Sequence, residues 1–489
     1  AGVEQIPATV ADFLPPVLRK LVVFIGRNPS QAEADAAVQV ASAVVARYGS
    51  QYPDIEVAPL ADPPFPPGDT PPFERHIVVS EGPDAGVSLY GDTGVPALLI
   101  SGPAAELTNQ TRLLTSNLAS YALTSKAVVG PLKATPQLPG NETTIRKMGQ
   151  PGVNATSLNP RVDVGLNQTR LGRSAHGIRV HLQGSYTPLP NDIGGQVVVS
   201  VAGQNIDRWP ADQSGTIDRW IDVPDRLLKR YTNLEVQVNI SGGTGRCGEF
   251  QPITLTIDGE TLVQSSPAAP PVPGGFQSVP QSLMPRVQIG IGSDVFGDTA
   301  RAVEIMTGLQ RLSALPMDTV VMPIQQAIDS PNPAVLISPQ SWDHPDIRLP
   351  VWAPDAVPTV VNAFDDQGDP TTLTLAPELR FGSLQTVFQN NRTLLVATSN
   401  GAPGQLDDLL KWLGADQRRW SAIDGLALVS VADRSPVTVT IPEAATAEPA
   451  AVNDRSTARW WWIGGALLAA VVAASVVIHL RSRRKPTSG

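Results

Sequence analysis

The sequence predicts a protein of the α/β + β multidomain class, in which two parallel α/β units flank an antiparallel β-sandwich and one transmembrane helix follows. Three observations carry this. Short apolar strands alternate with helical stretches near both ends of the chain, and the hydrophobic period shortens to two in the middle. Trp460 to Leu480 is an apolar run, polar only at Ser475 and His479.

In the first unit, Leu21 to Ile25 is a fully apolar strand. Ser30 and Glu33 follow in the S-x-x-E arrangement, where the serine caps a helix and the glutamate reciprocates. Ala-rich helical sequence then runs to Tyr48, where Gly49 is expected to stop it. Ile77 to Val79 and Ala97 to Ile100 are further strands. Leu107, Thr111, Leu114, Leu118 and Tyr121 fall at helical spacing, and Ala127 to Val129 is the last strand. Strands apolar on both faces predict a parallel sheet covered by helices.

The middle alternates with period two. Ile178, Val180 and Leu182 are followed by Val197, Val199 and Val201, then by Leu234, Val236, Val238 and Ile240, then by Ile253, Leu255 and Ile257. Gly194-Gly195, Gly242-Gly243 and Asp258-Gly259 are read as turns between them. Half-buried antiparallel strands at this density predict a β-sandwich or jelly roll.

The order of the first unit then recurs. Val287 to Ile291 is the strand, Asp298 the expected N-cap, and Ile305, Leu309 and Leu312 line the helix. Val335 to Ile337 and Leu394 to Ala397 are strands, Leu406, Leu409, Leu410 and Leu413 mark a helix, and Leu426 to Val431 closes the unit. "IVVS" beside "VLIS", and "ALLISG" beside "TLLVATSNG", read as an internal duplication at a spacing of about 280 residues, too long for a solenoid. The boundaries expected are 18–130 for the first α/β unit, 161–266 for the sandwich and 283–433 for the second α/β unit. Pro- and Gly-rich linkers are expected at 131–160 and 267–282, a stalk at 434–459, the membrane helix at 460–480 and a tail at 481–489.

The anchor's 21 residues cover roughly the 30 Å of a bilayer core at about 1.5 Å per residue. Trp460, Trp461 and Trp462 lie at one end, where indoles favour the headgroup layer. Arg481, Arg483, Arg484 and Lys485 follow the other end, so the tail is expected in the cytoplasm and the large N-terminal part outside. The rest of the composition agrees. At 489 residues with 42% hydrophobic and 17% charged, most of the chain is expected to fold. A net charge of −9 with its only basic cluster at the C-terminal end argues against nucleic acid as a partner. Cys247 is the one cysteine, so no intrachain disulfide forms, and it is read as a buried small hydrophobe. The chain starts at Ala1 with no apolar signal segment, read as a removed signal or a trimmed start.

The overall order, α/β, sandwich, α/β, anchor, resembles the periplasmic B subunit of bacterial cellulose synthase. "IPATVADFLPPVLRKLVVFIG", followed by a Ser-capped Ala-rich helix ending "ARYG", is similar to the start of that family's first flavodoxin-like domain. "GIRVHLQGSYTPLPNDIGGQVVVSVAGQNI" is similar to its sandwich signature, and "GTGRCGEF" sits where members often carry a Gly-and-Cys loop. The likeness covers roughly residues 5 to 433 and the anchor. It implies two flavodoxin-like domains around a jelly-roll, carbohydrate-binding-like domain. It also implies a non-catalytic accessory subunit whose membrane helix docks a glycosyltransferase that polymerises glucose from UDP-glucose, while the outer domains receive or guide the glucan. Two features depart from the family. The chain begins without a further sandwich ahead of its first α/β domain. Where the family places an interfacial amphipathic helix before the anchor, this chain has "IPEAATAEPAAVNDRSTAR", with no large apolar face.

No catalytic constellation stands out. His76, His176, His181, His344 and His479 are scattered singly, and no HExxH, G-x-S-x-G or Walker A pattern occurs. Asp365-Asp366 near Asp369 is an acidic cluster in a Gly/Pro-containing turn, read as a solvated loop rather than a glycosidase pair. Gly290-Ile291-Gly292 before a helix is the best phosphate-loop candidate, but Asp294 and Asp298 would both face the anion. No cofactor and no metal are expected. For sugar binding the candidates are aromatics of the sandwich, Tyr186, Trp209, Trp220 and Tyr231, with Asn205, Asp207, Asp218 and Asp222 beside them. Their rings would stack on sugar faces; packing into the core or rim is the competing reading. "IDRW" occurs twice, at Ile206–Trp209 and Ile217–Trp220, which suits two tryptophans on facing edges. The N-x-S/T sequons at Asn109, Asn141, Asn154, Asn167, Asn239 and Asn391 are read as chance. The expectation is a membrane-anchored accessory subunit of a cellulose or related β-glucan synthase. Its rivals are a tethered carbohydrate-binding or adhesion protein and, behind that, an extracytoplasmic hydrolase.

Overall fold

The computed structural model describes residues 6–61, 70–91, 94–114, 116–132, 137–190, 193–241, 252–352, 359–364, 369–376 and 378–440. They belong to one compact unit, Ala1–Thr440, and form a mixed α/β, sheet-rich, multidomain body. Cys247, Asp365, Asp366, the segment Ile441 to Arg459, the Trp460 to Leu480 run and the basic tail lie outside the described residues. Among the described residues no helix is long and apolar enough to cross a membrane.

The first α/β unit contains β1 (Lys20–Ile25), α1 (Gln31–Tyr48), β2 (Asp54–Pro59), β3 (Glu74–Glu81), β4 (Gly86–Tyr90), β5 (Ala97–Gly102), α2 (Ala104–Leu113) and β6 (Lys126–Ala127). Its sheet runs β2-β1-β3-β5-β4-β6. The first four strands are parallel, but β4 is antiparallel to both neighbours, so the expected all-parallel sheet is corrected to a mixed one. The capping box at Ser30 forms: its hydroxyl accepts from Glu33 N at 3.2 Å, and the Glu33 carboxylate accepts from Ser30 N at 2.9 Å. The helix ends at Tyr48 with Gly49 as its C-cap, as expected, but Gly49 does not take the left-handed conformation. It stays right-handed at φ −48, and Tyr52 takes the left-handed conformation instead. The second helix is shorter than its spacing suggests. It ends at Leu113 and a separate 3₁₀ turn, Asn117–Tyr121, follows under the Ser116 hydroxyl, which competes for the backbone and leaves Leu118 and Tyr121 exposed. Both helices pack on the same face of the sheet, with Val23, Ile25, Val79 and Ile100, and not on both faces as expected.

The second α/β unit contains, in chain order after the sandwich, the equivalents of all these elements. The sandwich between the two units is built of β7 (Glu142–Thr144), β8 (Gly152–Ser157), β9 (Arg161–Asn167), β10 (Ala175–Tyr186), β11 (Gly194–Val201), β12 (Gln204–Pro210), β13 (Thr216–Asp222), β14 (Tyr231–Ser241), β15 (Ile253–Asp258) and β16 (Leu262–Pro267), with the short α3 (Gln168–Leu171). One sheet runs β7-β16-β10-β15-β8 with β13 also paired to β10, the other β12-β11-β14-β9, all antiparallel. They enclose one core built from the alternate residues the periodicity marked, including Val180, Leu182, Val199, Val236 and Ile257. Three expectations are corrected here. Residues 131–160 are not only a linker, because β7 and β8 join the first sheet. Gly194 and Gly195 open β11 rather than turning the chain. Residues 267–282 are tied down: Phe276 and Val279 are buried in the core of the second unit, and the buried Arg230 of the sandwich donates to both their carbonyls at 2.6 Å. Burial lowers the pKa of that guanidinium, and two backbone carbonyls satisfy it in place of a carboxylate.

The second unit follows as β17 (Arg286–Ile291), α4 (Val295–Leu312), β18 (Asp318–Pro323), α5 (Ile324–Asp329), β19 (Ala334–Ser338), β20 (Thr359–Phe364), β21 (Pro370–Leu375), β22 (Phe381–Gln389), β23 (Arg392–Ser399), α6 (Pro403–Gly414), α7 (Arg419–Ala422), β24 (Ala427–Val431) and β25 (Val437–Val439). Its sheet order, β18-β17-β19-β23-β22-β24, repeats that of the first unit strand for strand, and β25-β20-β21 extend it. The paired motifs lie on equivalent strands: "IVVS" on β3 and "VLIS" on β19, "ALLISG" on β5 and "TLLVATSNG" on β23. Asp298 is not the N-cap; α4 begins earlier, capped by Asp294, whose carboxylate accepts from Gly297 N at 3.1 Å. The unit also runs past its expected end, since β25 lies in the segment read as a stalk.

The two units pack reciprocally through their first helices: α1 against α4 and β18, and α4 against β2. One stripe of α1, Ala36, Ala37, Val40 and Val44, faces its own sheet, while Ala34, Val38 and Ala41 enter the core of the second unit. With apolar surface on both sides, only small side chains let helix and helix approach, which explains the Ala-rich sequence. Side chains of α1 also pair the edge strand β18. Gln31 donates to Val321 O at 3.0 Å and Asp35 accepts from Val321 N at 2.8 Å. Replacing Ala41 by Leu overfills this seam, so the full chain in detergent is expected to lose about 1–3 kcal/mol in chemical denaturation. A variant as stable as the parent would show that the seam is loose.

Candidate functional site

The four aromatics singled out in the sandwich are not brought together. Tyr186 is a core residue, 3% exposed, whose hydroxyl donates to Asp212 O at 3.0 Å and accepts from Asp212 N at 2.7 Å. Tyr231 sits on β14 at the border with the second α/β unit. Its ring edge is exposed, but its hydroxyl donates to Leu312 O, and burial of that end raises its pKa. Trp209 is half-buried against the sandwich core, under the Arg219 guanidinium at 4.9 Å. The two "IDRW" copies do face one another across different sheets, joined by Arg219 of the second copy, which donates to Asp207 of the first at 2.7 Å. Trp220 stands on the open face of the other sheet, 36% exposed.

That face is the outer side of the β10 sheet, and its residues follow from strand alternation. Ile178, Val180 and Leu182 point into the core, so Arg179, His181, Gln183 and Ser185 point out. Pairing aligns them in rows across the strands. Asp222, Arg179, Gln264 and Glu142 form one row; Trp220, His181, Leu262 and Thr144 the next; then Asp218 with Gln183. The last row is Thr216, Ser185, Thr256 and Asn154. The His181 ring lies parallel to the Trp220 indole at 4.6 Å, the Arg179 guanidinium is 4.9 Å from it, and 36% of Trp220 still meets solvent. Two charge pairs lie on the face, His181 Nε2 with Asp218 at 2.5 Å and Arg179 Nε with Asp222 at 2.6 Å, and Glu142 accepts from the Gln264 amide at 2.9 Å.

Beside this platform lies a shallow trough of about 600 Å³, lined by Gly152, Asn154, Gly184, Ser185, Thr256 and Asp258. Gly184 at its wall is required by close strand approach, since a Cβ there would come within 2.1 Å of Thr256 O. A flat surface of hydroxyl, amide and carboxylate groups around one exposed indole, with more acids than bases, suits an extended polyhydroxyl ligand that carries no negative charge. Sequence reasoning found Trp220, Asp218 and Asp222. It missed His181, Gln183, Ser185, Thr256 and Asn154, although the outward positions of β10 follow directly from the period-two pattern.

The strand-to-helix turns of both α/β units are filled from within. In the first, Glu33 accepts from Ser30 N at 2.9 Å and from Glu81 N at 2.8 Å. In the second, Asp298 accepts from Gly292 N at 2.8 Å and from Arg301 at 2.9 Å, and Arg301 also holds Asp407 at 2.7 Å. A carboxylate thus occupies each place where backbone amides would otherwise meet a phosphate. Among the described residues no three His, Cys, Asp or Glu side chains converge on a metal position.

A second cleft, about 440 Å³, opens between the units, lined by Tyr52, Asp54, Glu304, Arg311, Lys411 and others. Burial, with Asp407 and Asp54 adding to it, pushes the Glu304 carboxyl up to about 7, against the opposing pull of Lys411 and Arg301. Arg311 donates to Pro53 O at 2.8 Å and its guanidinium lies over Tyr52 at 5.6 Å, so the cleft is also a seam between the copies.

No family model matches the chain, and no curated protein does. Among solved structures, a two-domain esterase active on acetylated mannans, co-crystallised with mannopentaose, is 10% identical; the match covers 53% of this chain and 93% of that one, with a TM-score of 0.15. A further structure of a two-domain esterase active on acetylated mannans gives 10% identity, 51% and 92% coverage and a TM-score of 0.13. Likenesses this weak carry no argument.

Glu304 makes a pH test. An acid whose folded pKa lies above its ordinary 4.5 weakens the fold as pH rises between the two values, and the loss is complete above about 7. Glu304→Gln is expected to gain about 2 kcal/mol over the parent at pH 8 and nothing at pH 4.5, read from denaturant midpoints. An equal difference at both pH values would assign the effect to packing.

Proposed function

We propose that this chain is a non-catalytic, membrane-anchored accessory subunit of a polysaccharide synthase, serving cellulose or a related β-glucan. In this reading it consists of two flavodoxin-like domains around a jelly-roll domain, with Trp460 to Leu480 as the anchor that docks a membrane glycosyltransferase. The outer domains stand outside the cytoplasm and guide the emerging chain. The observation that carries the proposal is the outer face of the β10 sheet. Trp220, held flat by His181 and Arg179, offers an apolar platform beside a trough of short polar side chains. A glucan has this alternation of apolar ring faces and equatorial hydroxyls. The filled strand-to-helix turns support a scaffold role for the α/β units rather than nucleotide or flavin binding.

The absence of a large apolar face in "IPEAATAEPAAVNDRSTAR" favours one alternative, a tethered carbohydrate-binding protein that docks no synthase. Affinity capture of the detergent-solubilised chain separates the two. Recovery of a multi-spanning glycosyltransferase is expected with the native anchor and not when Trp460–Leu480 is replaced by an unrelated apolar helix. Capture of none, under conditions that preserve membrane complexes, would leave the tethered protein. On either reading Trp220→Ala is expected to weaken cello-oligosaccharide binding about 10-fold, a change of about 1.4 kcal/mol in calorimetry. Unaltered binding would remove the face from the function.

A further inference from the structure

We infer that the second α/β unit carries a separate binding pocket for a single pyranose ring, at the carboxyl-end crest of its sheet. The inference rests on the glycan-handling reading above and adds a site to it.

The duplication supplies the comparison. In the first unit β3 passes to β4 through the short turn 82–85, and that turn closes the crest: a Cβ on Gly102 at the end of β5 would lie 3.3 Å from Ala85 Cα. In the second unit the long segment 339–380 stands between the equivalent strands, β19 and β22. Its described part brings Trp342, Leu349, Val351 and Trp352 over the ends of β19 and β23 and leaves a cavity of about 310 Å³. The carboxyl ends of parallel strands are where open α/β sheets hold their ligands. An insertion at that place, in one copy only, therefore marks a site rather than a loop of convenience.

The lining narrows the ligand. Trp342 is 3% exposed and its Nε1 is spent on Ile347 O at 3.0 Å, so it forms floor together with the buried Phe381 and Val351. Trp352, 42% exposed, is the free aromatic wall. The inner polar groups are already satisfied and hold the pocket's shape. Asn400 accepts from Phe381 N at 2.7 Å, Thr398 donates to Ser338 O at 2.7 Å, and Ser399 donates to Pro339 O at 2.5 Å. Arg380 and Gln340 stand at the rim, with the Arg380 Nη1 anchored on Asn400 O at 2.6 Å. Apolar walls with a few rim donors suit a ring that has C–H faces and hydroxyl edges. An anion fits less well. The adjoining start of α6 offers little, because Pro403 has no N–H and Ala402 N already donates to Ser399 at 2.9 Å. The volume is at the small end of ligand pockets and suits one ring, not a chain.

The test uses the full chain in detergent and titrates cellopentaose and laminaripentaose by calorimetry, in parent, Trp220→Ala, Trp352→Ala and the double variant. Two classes of site are expected in the parent. Trp220→Ala should remove one, and the class that remains should weaken at least 10-fold in the double variant, with Trp352→Phe retaining most of it. Loss of all binding in Trp220→Ala alone, or residual binding indifferent to Trp352→Ala, would overturn the crest site and leave the sandwich face standing. Binding lost in Trp352→Ala but untouched by Trp220→Ala would support the crest site and refute the face. No binding of either glucan by the parent would overturn both.

Discussion

The rest of the described structure depends on α1 being buried on two sides at once. Its inward stripe completes the core of the first unit, and Ala34, Val38 and Ala41 complete that of the second. A helix in that position has little room for a polar face, and two of its polar side chains bond the neighbouring unit. Asp35 takes Val321 N and Thr108, and Gln31 takes Val321 O. The β18 edge, a row of open backbone groups, is thereby closed by side chains instead of another strand. Burial raises the Asp35 pKa, with the two donors working against it, so its carboxylate is held by geometry at some electrostatic cost.

Fusing the copies this way has a consequence for where function resides. The helix starts of the two α/β units, which in such sheets commonly meet phosphate, point into turns already neutralised by Glu33 and Asp298. The same carboxylates that fix the helix entry exclude a second anion from it. Arg392 shows a related economy at the other end of a helix, donating to Ala327 O at 2.8 Å and to Ile328 O, where the carbonyls of α5 finish. These charged groups of the α/β halves therefore serve the scaffold.

What the sequence made legible follows the same division. The duplication was readable because β3, β5, β19 and β23 are buried over most of their length, and burial on both faces leaves a nearly unbroken apolar signature. The sandwich strands β10, β11, β14 and β15 were readable because one face is wet. Hidden were elements with neither signature: β7 and β8, short and polar, and β4, antiparallel in a sheet whose composition cannot report direction. Hidden too was the identity of the exposed aromatic. Tyr186 and Trp220 look alike in sequence, and only the strand phase separates them, since Tyr186 follows Leu182 in the inward register while Trp220 precedes the inward Ile221.

Phase also explains why Trp220 is available at all. On β13 the inward positions are Ile217 and Ile221, four apart where strict alternation would continue inward at 219, and the outward row accordingly carries Asp218, Trp220 and Asp222. Each of these stands opposite a β10 residue of complementary character: Gln183, His181 and Arg179. The acids are matched to a cation or an amide, and the indole to a ring. A tryptophan on a wet strand without such partners would be free to fold down onto the sheet and cover its own apolar surface. Here the stacked imidazole and the Arg179–Asp222 pair hold it in register with the rows beside it. The platform's orientation thus derives from cross-strand pairing rather than from core packing.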